Sequence, residues 1–115
     1  MALDKYISSI YNIIMKIIPE PIEFEWDDGN ADKNRVKHGI STKESEEPFF
    51  DQYRKLWKDI PHSGKEWRYI LLGATKSVKI LFISFTIRSK RVRVISARPA
   101  HKKERIMYEN AKKTQ

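Results

Sequence analysis

The sequence predicts an α+β domain, an antiparallel sheet of about four strands with flanking helices, preceded by an amphipathic helix. Three observations carry this. Two runs rich in β-branched and aromatic residues, 78–86 and 91–98, flank the short basic turn Ser89-Lys90, the pattern of a tight antiparallel hairpin. Apolar residues recur three and four apart from Leu3 to Ile18, the period of a helix with one buried face. Ser41 and Glu44 have the spacing of a capping box, so another helix starts there.

Composition bounds the rest. With 115 residues and 13.7 kDa the chain holds one domain, divided here into an N-terminal helical extension (1–20) and a body (22–112). The absence of cysteine excludes a disulfide framework, a thiol nucleophile and a thiolate metal site. An excess of 23 Lys and Arg over 15 Asp and Glu gives a net charge of +8, which suits a polyanionic partner such as nucleic acid.

The first helix is too short, and too polar on its other face, to span a membrane, and it lacks the basic start and small-residue cleavage site of a signal peptide. Pro19 and Pro21 end it. Residues 22–26, IEFEW, alternate as a half-buried strand does, and Asp27, Asp28, Gly29 and Asn30 break it and offer N-caps for a helix running to His38. Gly39 closes that helix, on which Lys33 and Lys37 form one polar row and Asn34 and His38 the next. Pro48 predicts a kink or an early end of the helix begun at Ser41. Residues 51–64 read as a connection whose aromatic residues tuck against the sheet. Residues 66–73 read as a strand with Glu66, Arg68, Ile70 and Leu72 in one phase. His38, His62 and His101 show no metal-ligand spacing.

In the strand 91–98 a period of two places Val92, Val94, Ser96 and Arg98 on one face and Arg91, Arg93, Ile95 and Ala97 on the other. Arg98 thus shares a face with two valines, where a guanidinium must reach solvent, pair with an acid or hold a ligand. A short charged helix follows it.

In order and spacing, FEWD (24–27), NRVKHGIS (34–41), GKEWR (64–68), TIR (86–88), RVISARPA (93–100) and ERIMYE (104–109) resemble the BrnT family of bacterial toxins. The resemblance covers roughly 24–109. It implies a RelE-like ribonuclease fold with a curved antiparallel sheet, and a cytoplasmic toxin that cuts RNA and stops translation, free or on the ribosome. It also implies a partner, a BrnA-like ribbon-helix-helix antitoxin, through which alone the toxin meets operator DNA. Members often carry lysine where this chain has Asn30.

Cutting RNA through its own 2′-OH requires a base for that proton, an acid for the leaving 5′ oxygen and cations on the phosphate, and no cofactor. Under the resemblance the catalytic candidates are Glu66 as base, His38 as proton donor, and Arg68, Arg93 and Arg98, the last two as a phosphate clamp whose planar forks give bidentate geometry. Lys33, Lys37, Arg88 and Arg105 are the candidate RNA contacts. The bland alternatives are a Glu66–Arg68 pair along one strand and a His38 that only satisfies helix-end carbonyls. Trp26, Trp57, Trp67 and Phe82 read as core or antitoxin-facing surface rather than base-stacking platforms. The competing function class is a non-catalytic RNA-, ribosome- or antitoxin-binding module, a degenerate toxin that would keep the basic clusters and dispense with Glu66.

Overall fold

A computed structural model describes residues 17–114. The predicted helix over 3–18 therefore lies outside the described residues except for its last two positions. Ile18 is buried in the main core. Among the described residues no helix is long and apolar enough to cross a membrane.

The sheet has four strands in the order β1 (Lys55–Lys58), β2 (Tyr69–Ala74), β3 (Ile80–Arg88) and β4 (Arg91–Pro99), every neighbour antiparallel. The predicted hairpin is β3–β4. Ser89 and Lys90 both take positive φ, 50° and 64°, the backbone of a turn whose twist matches its strands. Two corrections apply to the earlier strands. Among the described residues, 22–26 make a single bridge, Phe24 running parallel to Val92, held by Glu25 N–H to Val92 C=O and Val92 N–H to Glu23 C=O, both 2.8 Å. Conversely β1 lies inside the stretch predicted to be a connection, where Leu56 and Trp57 face opposite sides of the sheet and each reaches a core.

The predicted alternation along β4 fails for a physical reason. Ser84 pairs with Ser96 but Phe85 pairs with Val94, so Ile95 is the extra residue of a β-bulge. The bulge resets the phase. Val92, Val94 and Ala97 all enter the main core, whereas Arg93, Ser96 and Arg98, opposite Thr86, Ser84 and Phe82, share the other face. Arg98 thus does not lie with the valines.

A bulge on an edge strand leaves backbone groups without ladder partners. Here two asparagines take them: Asn30 Nδ2 donates to Val94 C=O and Ala97 N–H donates to Asn34 Oδ1, each 3.0 Å. Both are almost fully buried, at 2% exposure. They fix α1 (Lys33–His38) against β4. The expected N-cap is corrected too, because residues 27–30 form a turn and the helix starts only at Lys33, with Asp32 as a cap whose side chain makes no capping hydrogen bond and pairs instead with Arg35 at 3.0 Å. Gly39 closes it at φ 69°, as expected.

The capping box of Ser41 and Glu44 starts α2 (Thr42–Glu46). Pro48 then converts the chain to a 3-10 turn, Glu47–Phe50, which delivers Phe49 to the centre of the main core. This turn packs so closely on β2 that a Cβ at Gly73 would stand 2.9 Å from Pro48 O, hence glycine at that position. On the opposite face α3 (Lys102–Lys113) packs Tyr108 against Leu72 and Ala100. The Tyr108 hydroxyl donates to Asp51 Oδ2 at 2.5 Å, and the same oxygen accepts from Ala74 N–H at 2.8 Å. Burial, then the Asp51 carboxylate, push the Tyr108 hydroxyl pKa well up, so it remains a donor.

Candidate active site

The face of the sheet that carries α3 at one end carries a charged network at the other. β2 begins at Tyr69, so Glu66 and Arg68 sit ahead of it in the incoming loop and not on a shared strand. That loop runs beside β3, with Thr86 Oγ1 donating to Trp67 C=O at 2.7 Å. Glu66 takes Arg88 in a two-pronged pair, Nη2 to Oε1 at 2.7 Å and Nε to Oε2 at 3.1 Å. Arg88 opposes Arg91 and Thr86 opposes Arg93; Arg93 is therefore the diagonal neighbour of Arg88, close enough for long side chains to meet. The bulge brings Arg93 and Arg98 to one face, but a separation of four ladder pairs along β3 leaves them about 13 Å apart.

Arg93 is the most enclosed of these guanidiniums, with 14% of its side chain exposed. Its Nη1 donates to Glu25 Oε1 at 2.9 Å and Asp27 Oδ2 at 2.8 Å, and its Nη2 donates to Asp27 Oδ1 at 3.0 Å. Arg91 and Glu23 make a looser contact of 3.5 Å. Arg68 has no carboxylate partner among the described residues. The Arg88 hydrogen bond, and after it the charges of Arg88, Arg68 and Arg93, hold the Glu66 carboxyl below the usual carboxylate range. Asp27 is lowered likewise by Arg93. An ionised carboxylate among three guanidiniums is a proton acceptor placed beside cations that can meet developing negative charge.

Glu25 and Asp27 are the members that sequence reasoning missed. The signal lay in the alternation of residues 22–26 and in the aspartate that follows, which places Glu23, Glu25 and Asp27 in one phase.

Arg98 is engaged elsewhere. It grips Glu104 of α3 with two bonds, 2.8 and 2.9 Å, and its guanidinium lies 4.1 Å from the Phe82 ring centroid. Glu104 also accepts from His101 N–H at 2.7 Å, and Arg105 Nη1 donates to Ala100 C=O at 2.8 Å. These bonds fasten the start of α3. Arg98 first, then the His101 amide, lower the Glu104 pKa. A carboxylate with a depressed folded pKa adds stability that is fully present above its ordinary value of 4.5 and lost as pH falls through the lower folded value. Acidification across that window is therefore expected to loosen α3 before the sheet. Amide exchange along Lys102–Lys113 at neutral and acid pH measures it, and Glu104→Gln should remove the pH dependence.

Lys33 and Lys37 are exposed on α1, beside the β4 edge. His38 is half-buried at the helix end and makes no hydrogen bond to any described member of the Glu66 network. The structure thus brings together Glu66, Arg68, Arg88 and Arg93, and leaves Arg98, Arg105, Lys33, Lys37 and His38 outside that group. Asn30, the departure noted from the family's lysine, is a buried joint: besides Val94 it bonds Glu25 C=O at 3.0 Å and accepts from Asp27 N–H at 2.8 Å. It shapes the turn that carries Asp27 to Arg93.

A family described as "Ribonuclease toxin, BrnT, of type II toxin-antitoxin system" matches residues 26–104, which include every member of the network except Glu23 and Glu25. No curated protein matches the chain.

Proposed function

The chain belongs to the BrnT family of ribonuclease toxins of type II toxin-antitoxin systems, and on that footing we propose that it is a metal-independent endoribonuclease of RelE-like fold that stops translation in the cytoplasm. Its toxin body spans 22–112. A BrnA-like ribbon-helix-helix antitoxin holds it inactive and links it to operator DNA, and its substrate is RNA, free or on the ribosome.

The observation that carries this reading is the Glu66 carboxylate, held ionised among Arg88, Arg68 and Arg93. Glu66 takes the proton of the 2′-OH. The 2′ oxygen then bonds to phosphorus, the bond to the 5′ oxygen breaks, and that oxygen is protonated from solvent, because His38 stands outside the group. Arg93 and Arg68 stabilise the charge gathering on the phosphate. Lys33 and Lys37 contact flanking phosphates, while Arg98 and Arg105 act through α3, keeping its start on the sheet.

A phosphate that draws Arg88 away raises the basicity of Glu66 at the moment a base is needed. The sign is testable. Arg88→Gln removes the largest cause of the lowered Glu66 pKa, so the acid limb of kcat/KM against pH is expected to move to higher pH. An unmoved limb excludes Glu66 as the titrating base.

One observation favours the second reading, a non-catalytic RNA- or antitoxin-binding module: Arg88, Arg91 and Arg93 are already paired with carboxylates, as in a solvated surface network. Induced expression in a bacterium decides between toxin and module. Growth arrest with falling protein synthesis, relieved by co-expressed antitoxin and absent with Glu66→Gln, supports the toxin; unaltered growth with wild type, or full arrest with Glu66→Gln, contradicts it.

A further inference from the structure

The loop between β1 and β2 presents an indole for which the chemistry above has no use. Trp67 is 53% exposed, whereas the other two tryptophans are half-buried or better covered. Ile60, itself 67% exposed, joins Ser63, Gly64, Lys65, Glu66 and Trp67 around a shallow pocket of about 330 Å³, near the lower end of the range for small-molecule sites. An exposed tryptophan alone would mean little. Here the backbone on both sides of it is tied down: Trp67 C=O accepts from Thr86 Oγ1 at 2.7 Å, Arg68 N–H donates to Ser63 Oγ at 2.9 Å, Ser63 Oγ donates to Asp59 C=O at 2.8 Å, and Asp59 N–H donates to Arg68 C=O at 2.8 Å. A platform ordered beforehand loses little entropy when something stacks on it.

The charges around the ring select what stacks. Lys58 Nζ lies 4.3 Å from the indole centroid, Lys65 lines the pocket, and Arg68 follows in the chain with no carboxylate partner among the described residues. Glu66 itself lines the same pocket. An exposed indole with the Lys58 ammonium over its face and Lys65 lining the same pocket fits a ligand with planar rings strung on phosphates, a phosphate taking the ammonium as a base takes the ring, which is a single-stranded nucleic acid. We infer that Trp67 and Ile60 form a stacking subsite for one unpaired nucleobase of RNA, next to the nucleotide whose 2′-OH reaches Glu66. The inference rests on the proposed function for the identity of the polymer.

The test uses the full chain and a labelled single-stranded 2′-deoxy oligonucleotide of mixed sequence, which lacks the attacking hydroxyl and stays intact. Anisotropy gives Kd for wild type, Trp67→Ala and Trp67→Phe, with melting temperature as the check on folding. Trp67→Ala is expected to weaken binding about 5- to 150-fold, the range of a stacked base, and Trp67→Phe to recover most of the loss. Equal Kd for wild type and Trp67→Ala, or a Phe variant as weak as Ala, overturns the subsite. So does lost affinity for purified antitoxin with oligonucleotide binding intact, which would give the ring to the antitoxin surface. Wild-type cleavage of RNA is scored separately. Cleavage with no Trp67 dependence of binding sinks the subsite and spares the ribonuclease; Trp67-dependent binding without cleavage does the reverse.

Discussion

Glu66→Gln is expected to lower kcat/KM for RNA cleavage by about 10²- to 10⁴-fold, the contribution of a positioned general base. The amide keeps the size of the side chain and one acceptor for Arg88, but it cannot take the 2′-OH proton. Stability should hardly change, because the Glu66–Arg88 pair is exposed on both sides, 41% and 49%, and such pairs contribute little to folding. The two readouts together discriminate. Lost activity at an unchanged melting temperature marks a base, and unchanged activity marks a surface ion pair.

Phe49→Ala is expected to destabilise the fold by about 3–5 kcal/mol, as aromatic truncations in packed cores do. Phe49 is wholly buried, and its ring meets Phe24 and Phe85 edge-on with centroids 5.2 and 5.1 Å apart. It thereby joins the 3-10 turn, the bridge segment at Phe24 and the middle of β3. Domains of this size have only about 5–15 kcal/mol of net stability, so the variant should unfold at a much lower urea concentration with an unchanged m value. A shift equivalent to less than about 1 kcal/mol would contradict this packing.

The sequence made the hairpin legible because β-branched density and a short polar turn are local signals, and the two positive φ values at Ser89 and Lys90 follow from the tightness of the connection. The capping box at Ser41, the stop at Pro48 and the glycine closing α1 were legible for the same reason. β1 was not. KLWK is four residues between polar segments, without a β-branched side chain, and becomes a strand only because β2 offers an edge.

The bulge at Ile95 was equally hidden, since strict alternation and alternation with one inserted residue look alike until a partner strand counts the pairs. That single residue decides which face Arg98 occupies. Glu66 and Arg68 were found as residue types, but their surroundings depend on β2 starting at Tyr69. Asn30 showed itself only as a strand breaker and N-cap candidate and Asn34 only as one of a helically spaced polar pair; their targets lie about sixty residues away in the chain.

The most direct test of the account is to incubate the purified chain with bulk RNA in EDTA, beside Glu66→Gln, and to identify the new 3′ ends. Fragments ending in 2′,3′-cyclic phosphate are expected with the wild type and almost none with the variant. Intact RNA with the wild type, or fragments carrying free 3′-hydroxyl ends, would contradict it.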